Sequence, residues 1–136
     1  MGCASLINLL LDTHIWVWSV LAAERLKPKV AKALENPDNV LWISPVSIWE
    51  VLVLSRKKRL QLEPDAEQWV RRCLRERPLQ EAPLTREIAI QSERIDLPQA
   101  DPADRWIAAT ARVGDLVLVT ADEKLIRCPG IRTLPN

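Results

Sequence analysis

Leu6-Ile7-Asn8-Leu9-Leu10-Leu11, the run LINLLL closed by Asp12, decides the fold class of this chain. A continuous apolar run of this length suits a strand buried on both faces, as in a parallel sheet covered by helices on both sides. Working outward, Val40 to Ile43 (VLWI) and Leu116 to Val119 (LVLV) are runs of the same kind. Leu79 to Leu84 and Ile131 to Leu134 are shorter candidates.

Helical stretches fill the intervals. One runs from Asp12 to about Glu35, its second part opened by Pro28 and closed by the turn Asn36-Pro37-Asp38-Asn39. Ser44-Pro45 is an N-cap and first helical position for a helix through about Ser55. Pro64-Asp65 opens Ala66 to Arg75, where Trp69, Val70, Cys73 and Leu74 recur at helical spacing. Thr85 caps a helix reaching about Ile95, and Asp101-Pro102 opens Ala103 to Val113, which Gly114 ends. Apolar strands alternating with helices predict a three-layer α/β/α sandwich around a central parallel sheet.

At 136 residues, 48% hydrophobic and 27% charged, the chain is expected to form one domain over 1–136, and disordered or collagen-like chains are excluded. Cys3, Cys73 and Cys128 form neither a disulfide framework nor a zinc motif, so free thiols in a reducing cytoplasm are expected. The start, MGCAS, carries no leader pattern, and Leu6 breaks the myristoylation motif. The stretch Leu9 to Val20 is interrupted by Asp12 and His14 and is too short to span a bilayer, so no membrane role is expected. There are six Trp and no Phe or Tyr, so any aromatic stacking uses Trp or the single His.

Ligands of open parallel sheets bind beyond the carboxyl ends of the strands. Asp12 follows LINLLL and Asp122 follows LVLVT, so adjacent strand ends would bring two acids to one rim. Taken alone, each acid reads first as a turn or cap residue, and only the pair is informative. Glu50 lies in the apolar helix SIWEVLVL, where a carboxylate is costly unless solvated, paired or metal-bound. Val46, Val53 and Leu54 flank it on the helical wheel, which argues against a simple solvent-facing stripe. Asp101 and Asp104 fit a capping box, and equally two carboxylates on one helix face.

Four acids from four segments repel one another unless cations neutralise them. Hard oxygen donors with a single His suit Mg²⁺ or Mn²⁺ rather than zinc. The chemistry such a cluster supports is metal-assisted hydrolysis of a phosphodiester. No Ser-His-Asp set, P-loop or G-x-G-x-x-G competes with it. A haloacid-dehalogenase-type phosphotransferase would need a second Asp at position 14, which is His14 here.

LLLDTHIWVW, SIWEV, LPQADPADRWIAATA and VLVTADEKL, in this order, resemble a PIN domain, and more narrowly the toxin ribonucleases of VapBC-type toxin–antitoxin systems. The resemblance spans Leu6 to Leu134, and DPADRWIAATA is its most specific part. It implies a Mg²⁺- or Mn²⁺-dependent endoribonuclease, usually a homodimer, inhibited by a cognate antitoxin protein. By motif, Asp12, Glu50, Asp104 and Asp122 would be the catalytic and metal-ligating acids, with Thr13, Thr120 and Asp101 in support. A catalytically silent PIN-like module that only binds RNA or antitoxin is the alternative. Its signature would be a missing acid, and all four are present.

The chain departs from the branch at three places. Gln99-Ala100 precede the DP dipeptide where relatives often have His or Gly, Leu54 replaces a frequent Lys, and Lys58-Arg59-Leu60 replaces a Gly-Lys-Leu ending. Arg56, Lys57, Lys58 and Arg59 are the densest basic run, and alone such a run reads as a solvated face. Beside a ribonuclease site these residues and Arg105 are the candidate RNA-phosphate contacts, Arg105 reading more blandly as the partner of a site acid. Arg71, Arg72, Arg75 and Arg77 form a second basic group. Most Trp residues are expected in core or interface, with one near the rim available to stack on a base. His14 is expected to be a local packing or hydrogen-bonding residue. An apolar patch around the first helices would serve a dimer or an antitoxin helix.

Overall fold

A computed structural model describes residues 6–98 and 100–136. Residues 1–5, including Cys3, and Gln99 lie outside the described residues. The strands are β1 (Asn8–Leu11), β2 (Val40–Ile43), β3 (Gln80–Glu81), β4 (Val117–Thr120) and β5 (Thr133–Pro135). Among the described residues they form one five-stranded sheet of order β3-β2-β1-β4-β5, with every pairing parallel. The helices are α1 (Thr13–Leu21), α2 (Pro28–Glu35), α3 (Pro45–Arg56), α4 (Ala66–Glu76), α5 (Arg86–Ser92), α6 (Pro102–Val113) and α7 (Glu123–Ile126), with a 3₁₀ turn at Ala23–Arg25.

The two-residue period of the strands sorts the core into two halves. Leu9, Leu11, Leu41, Ile43 and Val119 face one side, packed with Ile15, Trp16, Val30, Val51 and Trp69 from α1 to α4. Leu10 and Leu118 face the other, packed with Ile88, Ile107, Ala108, Ala111 and Leu125 from α5 to α7. This is the expected three-layer sandwich, and it explains why β1 and β4 have no polar face. Trp16 and Trp69 meet with ring centroids 5.6 Å apart, joining α1 to α4.

Element ends differ from the sequence reading for local reasons. The first strand starts at Asn8, whose side chain accepts from Trp42 Nε1 at 3.0 Å, while Leu6 and Ile7 are exposed. The third strand is two exposed residues rather than six, because Pro83 has no N–H to extend the ladder beyond Ala82. The helix α5 stops at Ser92, not Ile95. The strand β5 is displaced to Thr133–Pro135, and α7 was not anticipated.

Two helices end in Schellman turns whose left-handed residue is not glycine. At the end of α3, Arg59 N–H donates to Leu54 O and Lys58 N–H to Ser55 O, with Lys58 at φ 60°. At the end of α6, Asp115 takes φ 53°, so Gly114 is not the left-handed residue its position suggested. Gly114 eases a close approach: a Cβ there would sit 3.1 Å from Thr110 O and 3.3 Å from Leu116 Cγ, a tight fit.

Candidate active site

The strand order reverses on either side of β1, since β2 follows on one flank and β4 on the other. Crevices at such a switch point are where open α/β sheets bind ligands. Asp12 leaves β1 there, its backbone N–H donating to Val119 O at 3.0 Å. A cleft of about 380 Å³ opens at this point, lined by Asp12, Thr13, Glu50, Asp101, Asp104 and Asp122, with His14 and Trp18 at its wall. The four predicted acids therefore converge from β1, α3, α6 and the β4–α7 turn.

Each acid is held differently. Asp12 is buried; its Oδ1 accepts from Thr13 N–H at 2.8 Å and its Oδ2 from the Thr120 hydroxyl at 2.6 Å. Thr120 in turn accepts from Asp122 N–H at 3.0 Å, so one buried hydroxyl ties the two strand-end acids together. Glu50 is half-buried, and the Thr13 hydroxyl donates to its Oε1 at 2.5 Å. Thr13 Oγ1 also lies 3.0 Å from Ser47 Oγ. Its one proton is committed to the carboxylate, so Ser47 donates to it. Asp101 caps α6, accepting from Asp104 N–H at 3.0 Å, and Asp122 caps α7, accepting from Lys124 N–H at 2.9 Å.

The electrostatics are those of crowded acids. Asp104 is pushed up to about 7 by burial first and then by Asp101, Asp12, Asp122 and Glu50. Burial also raises Asp12 against the lowering effect of its Thr120 and Thr13 hydrogen bonds. Glu50 is raised by burial and by Asp12 and Asp101, with Thr13 and His14 opposing. Among the described residues, no Lys or Arg lines this cleft to offset these carboxyls.

The donor set is hard oxygen throughout, with His14 the only imidazole at the wall. Among the described residues no three acidic, imidazole or thiol side chains are arranged to grip one ion unaided. An ion held by one or two carboxylates and completed by water fits that arrangement, which is the habit of Mg²⁺ and suits Mn²⁺ as well.

The basic candidates separate. Lys57 and Arg59 line a second concavity that adjoins the acid cleft, whereas Arg56 and Lys58 are exposed outside its lining. Arg105 has a structural engagement of its own: its Nη1 donates to Ser92 O at 3.0 Å and Ile95 O at 3.1 Å, bracing the end of α5 against α6. Arg71, Arg72 and Arg75 line a separate hollow on α4. His14 lies in ring contact with Trp18, 5.8 Å between centroids, in line with a packing role.

Two residues of α3 escaped the sequence reading. Ser47, three positions before Glu50 on the same helix face, completes the hydroxyl relay; that spacing was the available signal. Trp49 is exposed beside the acid, while Trp16 is buried and Trp106 packs against the α5–α6 core. Cys73 and Cys128 are buried free thiols. No helix among the described residues is long and apolar enough to cross a membrane.

Comparison with known proteins agrees with this architecture. The PIN-domain family model matches residues 9–131. Ribonuclease VapC22 of Mycobacterium tuberculosis is 30% identical over 121 residues, covering 87% of this chain and 89% of that protein. The structure of VapBC2 from Rickettsia felis, bound to a DNA fragment from its promoter, superposes with a TM-score of 0.74 at 16% identity, covering 96% of this chain and 99% of that one. A toxin–antitoxin complex from Klebsiella pneumoniae gives a TM-score of 0.62 at 25% identity over 90% of this chain and 94% of that one. The chain thus belongs to the PIN-domain family, among its VapC-type members.

Proposed function

We propose that this chain is a Mg²⁺- or Mn²⁺-dependent endoribonuclease, the toxin of a type II toxin–antitoxin pair. It acts in the cytoplasm as a single PIN domain, as a homodimer, under control of a cognate antitoxin protein. The observation that carries the catalytic reading is the convergence of four carboxylates on one cleft, where Asp104 is held near 7. Such crowding weakens a fold unless a cation and a substrate use it. Kinship with Ribonuclease VapC22 supports RNA as the substrate, and the VapBC complexes support an antitoxin partner.

Asp12, Glu50, Asp104 and Asp122 would hold the metal through one or two carboxylates and intervening waters. Bound Mg²⁺ or Mn²⁺ supplies Lewis-acid activation of water and offsets the charge that builds on the leaving oxygen. Thr13 and Thr120 fix the directions of Asp12 and Glu50, so little reorganisation is needed when substrate arrives. Glu50, raised and tethered, is placed to accept a proton from the attacking water at its Oε2. Water adds across one P–O bond, leaving a phosphate monoester at one new end and a hydroxyl at the other.

Purified protein free of antitoxin should cleave single-stranded RNA with Mg²⁺ or Mn²⁺ and stop in EDTA. Asp12→Asn and Asp104→Asn should each lower the cleavage rate by about a hundredfold or more, with circular dichroism unchanged. Undiminished cleavage by both variants would falsify the site assignment.

A further inference from the structure

Six tryptophans and no other large aromatic residue make the search for a base-stacking side chain short. Trp16 and Trp69 are buried, Trp42 bonds Asn8, and Trp106 packs on the α5–α6 core. Trp18 is in contact with His14 and has the Arg25 guanidinium 4.6 Å from its ring centroid. Trp49 alone is largely open, 58% exposed on α3. It stands at a concavity of about 310 Å³ whose other lining includes Val53, Lys57, Arg59 and Pro102. This concavity shares Glu50 and Asp101 with the acid cleft, so the two adjoin and together make a track along which a strand could run.

Resting on the ribonuclease reading above, we propose that this track is a subsite for single-stranded RNA next to the cleavage point, with Trp49 stacking on one base and Lys57 and Arg59 contacting the adjoining phosphates. A strand threaded through an acidic cleft is repelled along the cleft itself and needs a cationic, apolar surface just beyond it. Among the described residues, Lys57 and Arg59 form no ion pair, so both charges are available. An aromatic face beside two cations fits a nucleotide better than it fits a purely apolar protein segment. Tryptophan stacking tolerates any base, so the subsite strengthens single-strand binding without dictating sequence.

The test compares wild type, Trp49→Leu, Trp49→Phe and Lys57→Ala/Arg59→Ala on a short single-stranded RNA, with Ile90→Ser, exposed on α5, as control. Trp49→Leu should raise KM about tenfold and change kcat far less, while Trp49→Phe recovers most of the loss. The double variant should raise KM and shrink the salt dependence of log binding by about 1.4, two phosphate contacts at the single-strand slope. Scanning abasic nucleotides through the RNA should find one position whose loss weakens wild type but not Trp49→Leu. If wild type cleaves and Trp49→Leu matches it in KM, the subsite is overturned while the ribonuclease reading stands. A change confined to oligomeric state on sedimentation also overturns it, assigning the face to a second copy of the chain. Wild type that neither binds nor cleaves RNA sinks both readings.

Discussion

Thr120 does the most of any uncharged residue at the site. It is fully buried at the end of β4, donates to Asp12 Oδ2 and accepts from Asp122 N–H. Valine has the same shape and neither function. Thr120→Val should therefore destabilise the protein by about 1–3 kcal/mol in urea unfolding, the cost of stranding the buried Asp12 carboxylate and the half-buried Asp122 N–H. A Mn²⁺ titration should show affinity falling about 10–100-fold, because Asp12 loses the contact that aims it. Thr120→Ser should restore most of both. Asp12 and its neighbours were legible in the sequence because strand-end acids are chemically conspicuous. The bracing contact of Arg105 was not legible, because its sequence position beside Asp104 says nothing about where a long side chain turns; the carbonyls of Ser92 and Ile95 accept from its Nη1.

At the scale of elements, α3 is the least ordinary helix. Its run IWEVLVL reads as core, yet only Ser47 and Val51 are buried, and Trp49 and Leu52 are exposed. The reading of Glu50 as unlike a solvent-facing stripe was sound, since it faces the cleft, but its apolar neighbours are not all core. The helix ends on Lys58 in a left-handed conformation that favours glycine. Lys58→Gly should relieve that strain and, after the flexibility it adds to the unfolded chain, raise stability by about 0.5 kcal/mol. Lys58→Val should lower it by about 1–2 kcal/mol. Urea midpoints at constant m-value distinguish the two signs.

For the whole molecule, the near-zero net charge conceals an uneven distribution. Setting aside Asp12, Glu50, Asp104 and Asp122 leaves 14 acidic against 19 basic residues. Concentrating four acids on one cleft has a cost that depends on pH. Asp104 titrates near 7 in the fold and near 3.8 when unfolded, so the folded state holds the extra proton between these values. Stability therefore falls as pH rises from about 4 to 7, is level above that, and loses the penalty entirely below 4. Asp12 and Glu50, also raised, act in the same direction. Allowing for solvent screening at a half-exposed group, the Asp104 contribution is about 1–2 kcal/mol. Metal-free wild type should lose about 4–8 °C in melting temperature across that window relative to Asp104→Asn. Mg²⁺ should return most of the loss at pH 7.5 to the wild type only. Parallel pH curves for the two proteins would contradict this account.

What the sequence determined by itself was the alternation of buried strands and capped helices and the parallel sandwich they build. Those properties are written locally, in two-residue and 3.6-residue periods and in cap residues, so a single chain suffices to read them. Only the tertiary structure decided the strand order that sets Asp12 beside Thr120, the hydroxyl relay through Thr13 and Ser47, and the bracing role of Arg105. It also decided which of six tryptophans stands open beside the cleft. These depend on contacts between residues 34 to 108 positions apart, or on the direction a flexible side chain takes once its neighbours are packed. No local period records either.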